Sequence, residues 1–320
     1  MGILVVGSIA LDRVETPFGS REEVLGGSCP YFAVVASLYA PVYMVSVVGT
    51  DFPQAHLDFF RSRKIDLRGL QVVPGKTLRW AGRYGHDLAD AETLATELNV
   101  LGDFHPIIPD DFRHVPYVFL ANIDPDLQIE ILSQMQAPRM VVLDSMNYWM
   151  IHKRDSLQKA ISRVHVVLLN ESEVRLFSGE SNIIAGARAI LSLGPKALVI
   201  KRGEHGAMLL VSQGQGIDLF MVPAFPVENV VDPTGAGDTF AAGFMGYLAK
   251  TGDLSMASLR RAVVHGTLVA SFTVQDFSID RLRPLTLADI EACYSTFRWM
   301  THFEPLSDLE VNRLSRPIWA

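Results

Sequence analysis

The run Val231-Asp232-Pro233-Thr234-Gly235-Ala236-Gly237-Asp238-Thr239-Phe240 carries the residue types that most directly imply chemistry. Gly235 and Gly237 stand two apart, directly before a stretch whose apolar positions, Phe240, Phe244, Tyr247 and Leu248, follow a helical period. Where a glycine turn enters a helix, successive N–H groups converge and the helix dipole adds positive character, so the junction cradles an anion. Asp238 falls where that helix begins. Phosphoryl transfer needs a group that orients and deprotonates an attacking hydroxyl, and fixed dipoles that stabilise the phosphoryl group as it moves. Asp238 fits the first role, and the amides of Gly235, Ala236 and Gly237 fit the second. The same residues also suit a tight turn followed by an ordinary helix cap.

Other polar residues fall at the ends of apolar runs. Asn170 and Glu173 follow residues 164–169, where open α/β sheets bind ligands at strand carboxyl ends. A carboxylate and an amide there suit Mg²⁺ held through its waters, and equally a helix cap. Gly203 and Gly206 follow residues 197–200 and read as a turn into a second strand. Two look-alikes fail. Gly69 to Lys76 has five residues between its glycines where a phosphate-binding P-loop has four, and it leads into strand-like sequence. The nine histidines form no zinc-binding pattern.

The elements that must position these residues alternate. Short apolar, β-rich runs at 3–6, 42–48, 115–120, 140–143, 164–169 and 197–200 are separated by helix-length segments at 126–136, 152–163 and 183–193. Strands covered on both faces read this way, so a doubly wound α/β fold with a mainly parallel sheet is expected. Helices follow at 239–249, 254–272 and 287–301. Segments 11–25 and 72–101 break the scheme with strand-like alternation and are expected to form a small separate sheet over the strand ends, a lid.

The 320 residues suffice for a large core, and charge is spread without a basic stripe, 28 Lys and Arg against 35 Asp and Glu, which argues against nucleic acid. Cys29 and Cys293 form neither a disulfide framework nor a metal set. With no basic segment ahead of the first apolar run, a cytoplasmic protein is expected. The uncharged stretch 24–50 is long enough to span a bilayer, but Gly26, Gly27, Pro30 and Pro41 divide it into a buried helix and a buried strand.

Four of these elements together resemble the ribokinase-like (PfkB) family of ATP-dependent sugar and nucleoside kinases over roughly residues 1–300, with 301–320 left as a tail. They are Asp232 to Phe240, the Gly26-Gly27 and Val48-Gly49-Thr50-Asp51 pair, Asn170-Glu171-Ser172-Glu173, and Lys201-Arg202-Gly203-Glu204-His205-Gly206. The resemblance implies a Rossmann-like kinase domain with a β lid, transferring the γ-phosphoryl of ATP to an alcohol with Mg²⁺. It places Asn170, Glu173, Lys201, Gly203, Gly206, Thr234 and His265 with the nucleotide, with Glu173 serving Mg²⁺ through water. Asp12, Gly27, Tyr31 and Asn147 fall with the acceptor, and Asp232 at a K⁺ site. A small carbohydrate or polyol is the expected acceptor. A nucleoside is the alternative, as is a non-catalytic ligand sensor on the same fold. Tyr31 stands where many sugar kinases of the family carry Asn, and Asn147 belongs to a strand-end element with altered spacing. The resemblance further implies a homodimer paired through the lid, with Trp80 and Tyr84 across the interface.

Overall fold

The computed structural model describes residues 1–88, 91–214 and 216–303; the tail beyond 303 lies outside the described residues. Strands β1 (Ile3–Val6), β4 (Val42–Gly49), β5 (Asp66–Val73), β8 (Tyr117–Leu120), β9 (Met140–Asp144), β10 (Val166–Asn170) and β11 (Ala197–Lys201) are parallel. An antiparallel pair, β12 (Ala207–Gln213) and β13 (Gly216–Val222), extends one edge. The order is β13-β12-β11-β10-β9-β8-β1-β4-β5.

The apolar runs are continuous because the sheet is buried twice. Ile3, Val5, Phe119, Val142, Leu168 and Val199 face one core, shared with helices α1 (Ser28–Ala36), α8 (Ala236–Thr251), α9 (Met256–Thr273) and α10 (Leu287–Met300). Leu4, Val6, Val118, Leu143, Leu169 and Ile200 face the other, with α3 (Pro125–Gln134), α5 (Arg154–Ile161), α6 (Glu171–Ser178) and α7 (Ile183–Leu191). Alternate residues therefore enter opposite cores, the pattern of a covered parallel sheet.

A second sheet has the order β3-β2-β6-β7. Strands β2 (Ala10–Thr16) and β3 (Gly19–Gly26) form a hairpin, and β6 (Leu78–Tyr84) pairs parallel to β2 and antiparallel to β7 (Ala91–Glu97). Val72 and Val73, grouped by pattern with this sheet, instead finish β5 at the edge of the main one. The lid is tied to the main sheet where β4 ends. Asp51 accepts from the amide and hydroxyl of Thr77 at 2.8 and 2.7 Å, and Arg79 pairs with its other oxygen at 2.9 Å.

Further differences have local causes. The helix expected over 152–163 is α5, and a short helix not expected from the sequence, α4 (Asn147–His152), precedes it, the two divided at Lys153 (φ −137°). Strand β5 and helix α2 (Gln54–Ser62) carry no continuous apolar run because each has a solvent-facing side, whereas the apolar residues 219–222 of β13 lie at the sheet edge with Leu219 and Met221 exposed. No described helix is long and apolar enough to cross a membrane.

Helices α8 and α9 pack closely. A Cβ on Gly243 would sit 2.7 Å from the carbonyl oxygen of His265, and one on Gly266 would sit 2.8 Å from that of Phe240. Because the neighbour is backbone on a second helix, a larger residue must push the two apart. Gly243→Val is expected to destabilise the protein by about 1–3 kcal/mol, measured by chemical denaturation. Unchanged stability would mean that the contact is not needed.

Candidate active site

The polar residues that end β9, β10 and β11 converge with the N-terminus of α8. Lys201, last in β11, donates from Nζ to Asp144 Oδ2 at 2.7 Å. The same Nζ lies 3.0 Å from where a Cβ on Gly237 would be, so the ammonium rests on the first turn of α8. Glu173 and Asp238 lie close enough to help hold the lysine charged against its burial, with Asp144 the largest such influence. Asp238 is pushed up to about 7, first by loss of solvent and then by the charge of Asp144, with Lys201 acting in the opposite sense.

The loop before α8 turns at Gly235, whose φ of 77° favours glycine. No side chain caps the helix. Ala236 donates its N–H to Pro233 at 3.1 Å, so it is spent inside the turn, whereas Gly235 and Gly237 make no such bond among the described residues. The expected anion hole of three amides thus has two open members in this conformation. A Cβ on Gly235 would meet the ring of Tyr31 at 2.4 Å. Tyr31 therefore spends its ring face on this loop and does not offer it for stacking on a ligand; its phenol is pushed up by burial and by Asp232, Asp12, Tyr84 and Asp238 around it.

Asn170 and Glu173 form a reciprocal cap on α6. The side chain of Asn170 accepts from Glu173 N at 2.8 Å, and Asn170 N donates to Glu173 Oε2 at 2.7 Å. The capping reading holds, and it leaves Glu173 buried beside Lys201. Gly203 and Gly206, both at positive φ, shape the turn between β11 and β12 immediately after Lys201.

Asp12, in β2, is buried and accepts from the amide of Gly27, while its Oδ1 has no partner. Gly27 starts α1 with φ 85°, and a Cβ there would meet Ser8 O at 2.6 Å, so no other residue fits. Asp232, also buried, accepts from Thr234 N at 2.9 Å and from Ser278 N at 3.2 Å, which ties the loop before α8 to the loop after α9. Thr234 in turn donates its hydroxyl to Tyr84 of the lid at 3.1 Å. Tyr84 thus reaches the glycine loop of its own chain, and Trp80 donates to Thr93 within the lid at 3.3 Å.

Two predicted residues stand apart. The ring of His265 lies between Tyr247 and Tyr294, with centroids 4.5 and 5.2 Å away, and its Nδ1 is 3.1 Å from the hydroxyl of Tyr39. Burial and Lys250 push it down to about 4, a buried histidine enclosed by tyrosines. Asn147 is exposed at the start of α4; the strand-end position belongs to Asp144. Asp144 and the supporting Gln128 were not singled out from sequence. Gln128 is fully buried and donates to Ala121 O at 2.9 Å and Asp144 O at 3.1 Å. The signal for Asp144 was present, since it is the first polar residue after an apolar run, as Asn170 and Lys201 are.

The pattern of the pfkB family of carbohydrate kinases matches residues 20–282. The chain belongs to this family. It is 33% identical to a cytidine kinase of Thermococcus kodakarensis over 77% of this chain and 87% of that one. It is 25% identical to a nucleoside kinase of Methanothermobacter thermautotrophicus over 86% and 89%. The fold is shared with a nucleoside kinase of Burkholderia thailandensis in complex with inosine, at TM-score 0.76, 21% identity and coverage of 95% and 100%. It is also shared with a kinase-fold structure from E. coli in complex with ATP and Mg²⁺, at TM-score 0.75, 19% identity and coverage of 92% and 99%.

Burial and the nearby charge of Asp232 push the carboxyl of Asp12 up to about 8. Because the folded pKa exceeds the unfolded one, the folded state is favoured most below about 4 and loses that advantage as pH rises toward 8. In buffer without small monovalent cations, Asp12→Asn is expected to raise the thermal midpoint at pH 8 more than at pH 5. An equal shift at both values would show that Asp12 is ionised in the folded protein throughout.

Proposed function

We propose that the protein is an ATP-dependent nucleoside kinase. Phosphoryl transfer rests on one observation above the others: Asp238 stands at the N-terminus of α8 beside the two open amides, with Lys201 held against the same turn. Asp238 takes the proton of the acceptor hydroxyl as the new oxygen–phosphorus bond forms. The bond from the γ-phosphorus to the bridging oxygen breaks, and ADP leaves with the electron pair. The amides of Gly235 and Gly237 meet charge developing on the phosphoryl oxygens.

The nucleoside is favoured over the carbohydrate or polyol expected from the resemblance because the relative named cytidine kinase is matched over 87% of its length at 33% identity. The ring of Tyr31 fills space against Gly235, and Asp12, with Oδ1 unpartnered, offers an acceptor for ligand hydroxyls. The lid is close enough to shut over them, since Tyr84 already reaches Thr234.

No group of three carboxylate, histidine or cysteine ligands occurs among the described residues. That fits Mg²⁺, which keeps several waters and binds mainly through substrate phosphates. Glu173 is the carboxylate placed to hold those waters. The ion supplies charge neutralisation on the phosphates. Asp12 and Asp276 each add negative charge around buried Asp232, and no Lys or Arg among the described residues pairs with Asp12 or Asp232. This potential suits a monovalent cation, and we propose that K⁺ supports the loop there. A homodimer through the outer face of the lid, where β7 is largely exposed, belongs to the same proposal.

A screen of ADP formation with nucleosides, pentoses, hexoses and polyols tests the reading. It is expected to give at least one nucleoside with kcat/KM about 10²-fold above any free sugar, and a sugar as best acceptor would overturn the nucleoside reading. Asp238→Asn is expected to lower kcat about 10²-fold or more while ATP still binds; wild-type kcat would remove it from the mechanism. Rates in K⁺ are expected to exceed those in tetramethylammonium at equal ionic strength, and equal rates would refute the cation site.

A further inference from the structure

Lys201 is the last residue of β11, and its ammonium crosses the sheet edge to Asp144 at the end of β9, passing over β10 between them. Asp144 is held at both ends. Its Oδ1 accepts from Ser145 N at 2.9 Å, and its carbonyl accepts from the buried amide of Gln128. The lysine thus reaches the first turn of α8 on a side chain anchored by a carboxylate that is itself hydrogen-bonded. It meets that turn at Gly237, one of the two open amides. A lysine needed only to neutralise Asp144 would not have to rest on a helix N-terminus, where the dipole disfavours a cation. Three carboxylates, Asp144, Glu173 and Asp238, bring it there.

Resting on the kinase reading, we propose that Lys201 is a catalytic residue that touches the phosphoryl group as it passes from ATP to the acceptor, and that Asp144 is the positioning residue that fixes its ammonium. The transferring group gathers negative charge on its outer oxygens, and a cation beside the Gly237 amide meets them from the protein side. Adenine, ribose and the α-phosphate lie outside this contact. It therefore distinguishes a nucleoside triphosphate from a diphosphate.

The test uses the full chain with Mg²⁺ and three variants: Lys201→Met, Asp144→Asn, and the two combined. Thermal unfolding, kcat, and calorimetric binding of ADP and of the imido analogue of ATP are measured for each. Lys201→Met strands a buried carboxylate and is expected to be the least stable. The double variant removes both charges and is expected to regain most of the lost stability while kcat stays at least about 10²-fold down. ADP affinity is expected to remain within about threefold, while the preference of the wild type for the triphosphate analogue over ADP is lost. Asp144→Asn keeps the shape of the residue and is expected to show the same loss of preference in smaller measure. A double variant with wild-type kcat, or an unchanged analogue-to-ADP ratio in the variants, would overturn the proposal. If the wild type forms no ADP with any acceptor, the kinase reading fails, and the affinity ratio still judges the role of Lys201 at the phosphates.

Discussion

The N-terminus of α8 has to reach the carboxyl edge of the sheet, and the site depends on that one placement. Two contacts enforce it. Along the helix, Gly243 and Gly266 let α8 and α9 approach until backbone meets backbone. At the tip, Asp232 accepts from amides on both flanking loops, and the buried hydroxyls of Thr239 and Thr273 meet at 2.7 Å. A helix end held this firmly can leave two amides unspent, which a freely moving end would satisfy with water or a cap.

The ion pair of Lys201 and Asp144 sits where that helix end meets the strands. Breaking one side of such a buried pair typically costs about 3–5 kcal/mol, whereas replacing both by apolar groups is often neutral. Stability alone is therefore a weak reason for the pair. Its cost is understood more readily if charge arriving with the ligand uses it. The lid joins the same system through Tyr84 and Thr234, and the amide of Thr234 is itself held by Asp232. Closing the lid and ordering the glycine loop share a residue.

Much of this was legible in the sequence. The glycine pair before a helix-length apolar run located the start of α8, and the double burial of the sheet wrote itself into continuous apolar strands. The capping pair of Asn170 and Glu173 was readable from spacing alone. Edge strand β5 was not, because a strand exposed on one side mixes Asp66 and Arg68 with its apolar residues. The commitment of the Ala236 amide to Pro233 is a three-dimensional fact with no signature in residue type. His265 shows the opposite failure. Its position resembles a nucleotide contact, yet the aromatic rings that capture it come from α1's end, α8 and α10, elements that only the fold brings together. Asp144 carries the same signature as Asn170 and Lys201, the first polar residue after a buried apolar strand.

The carboxylates explain why the site is built to be filled. Asp12, Asp232 and Asp238 are each pushed up mainly by burial, and each lies near another anion. Held without a ligand, the recess keeps these acids partly protonated or poorly solvated, at a cost to folding. A ligand hydroxyl on Asp12 satisfies an oxygen that otherwise has no partner. A cation beside Asp232 lowers the potential that raises Asp12. On the proposed reading each of these two events makes the other easier without any new protein contact, because both act on the charge that Asp12 and Asp232 share.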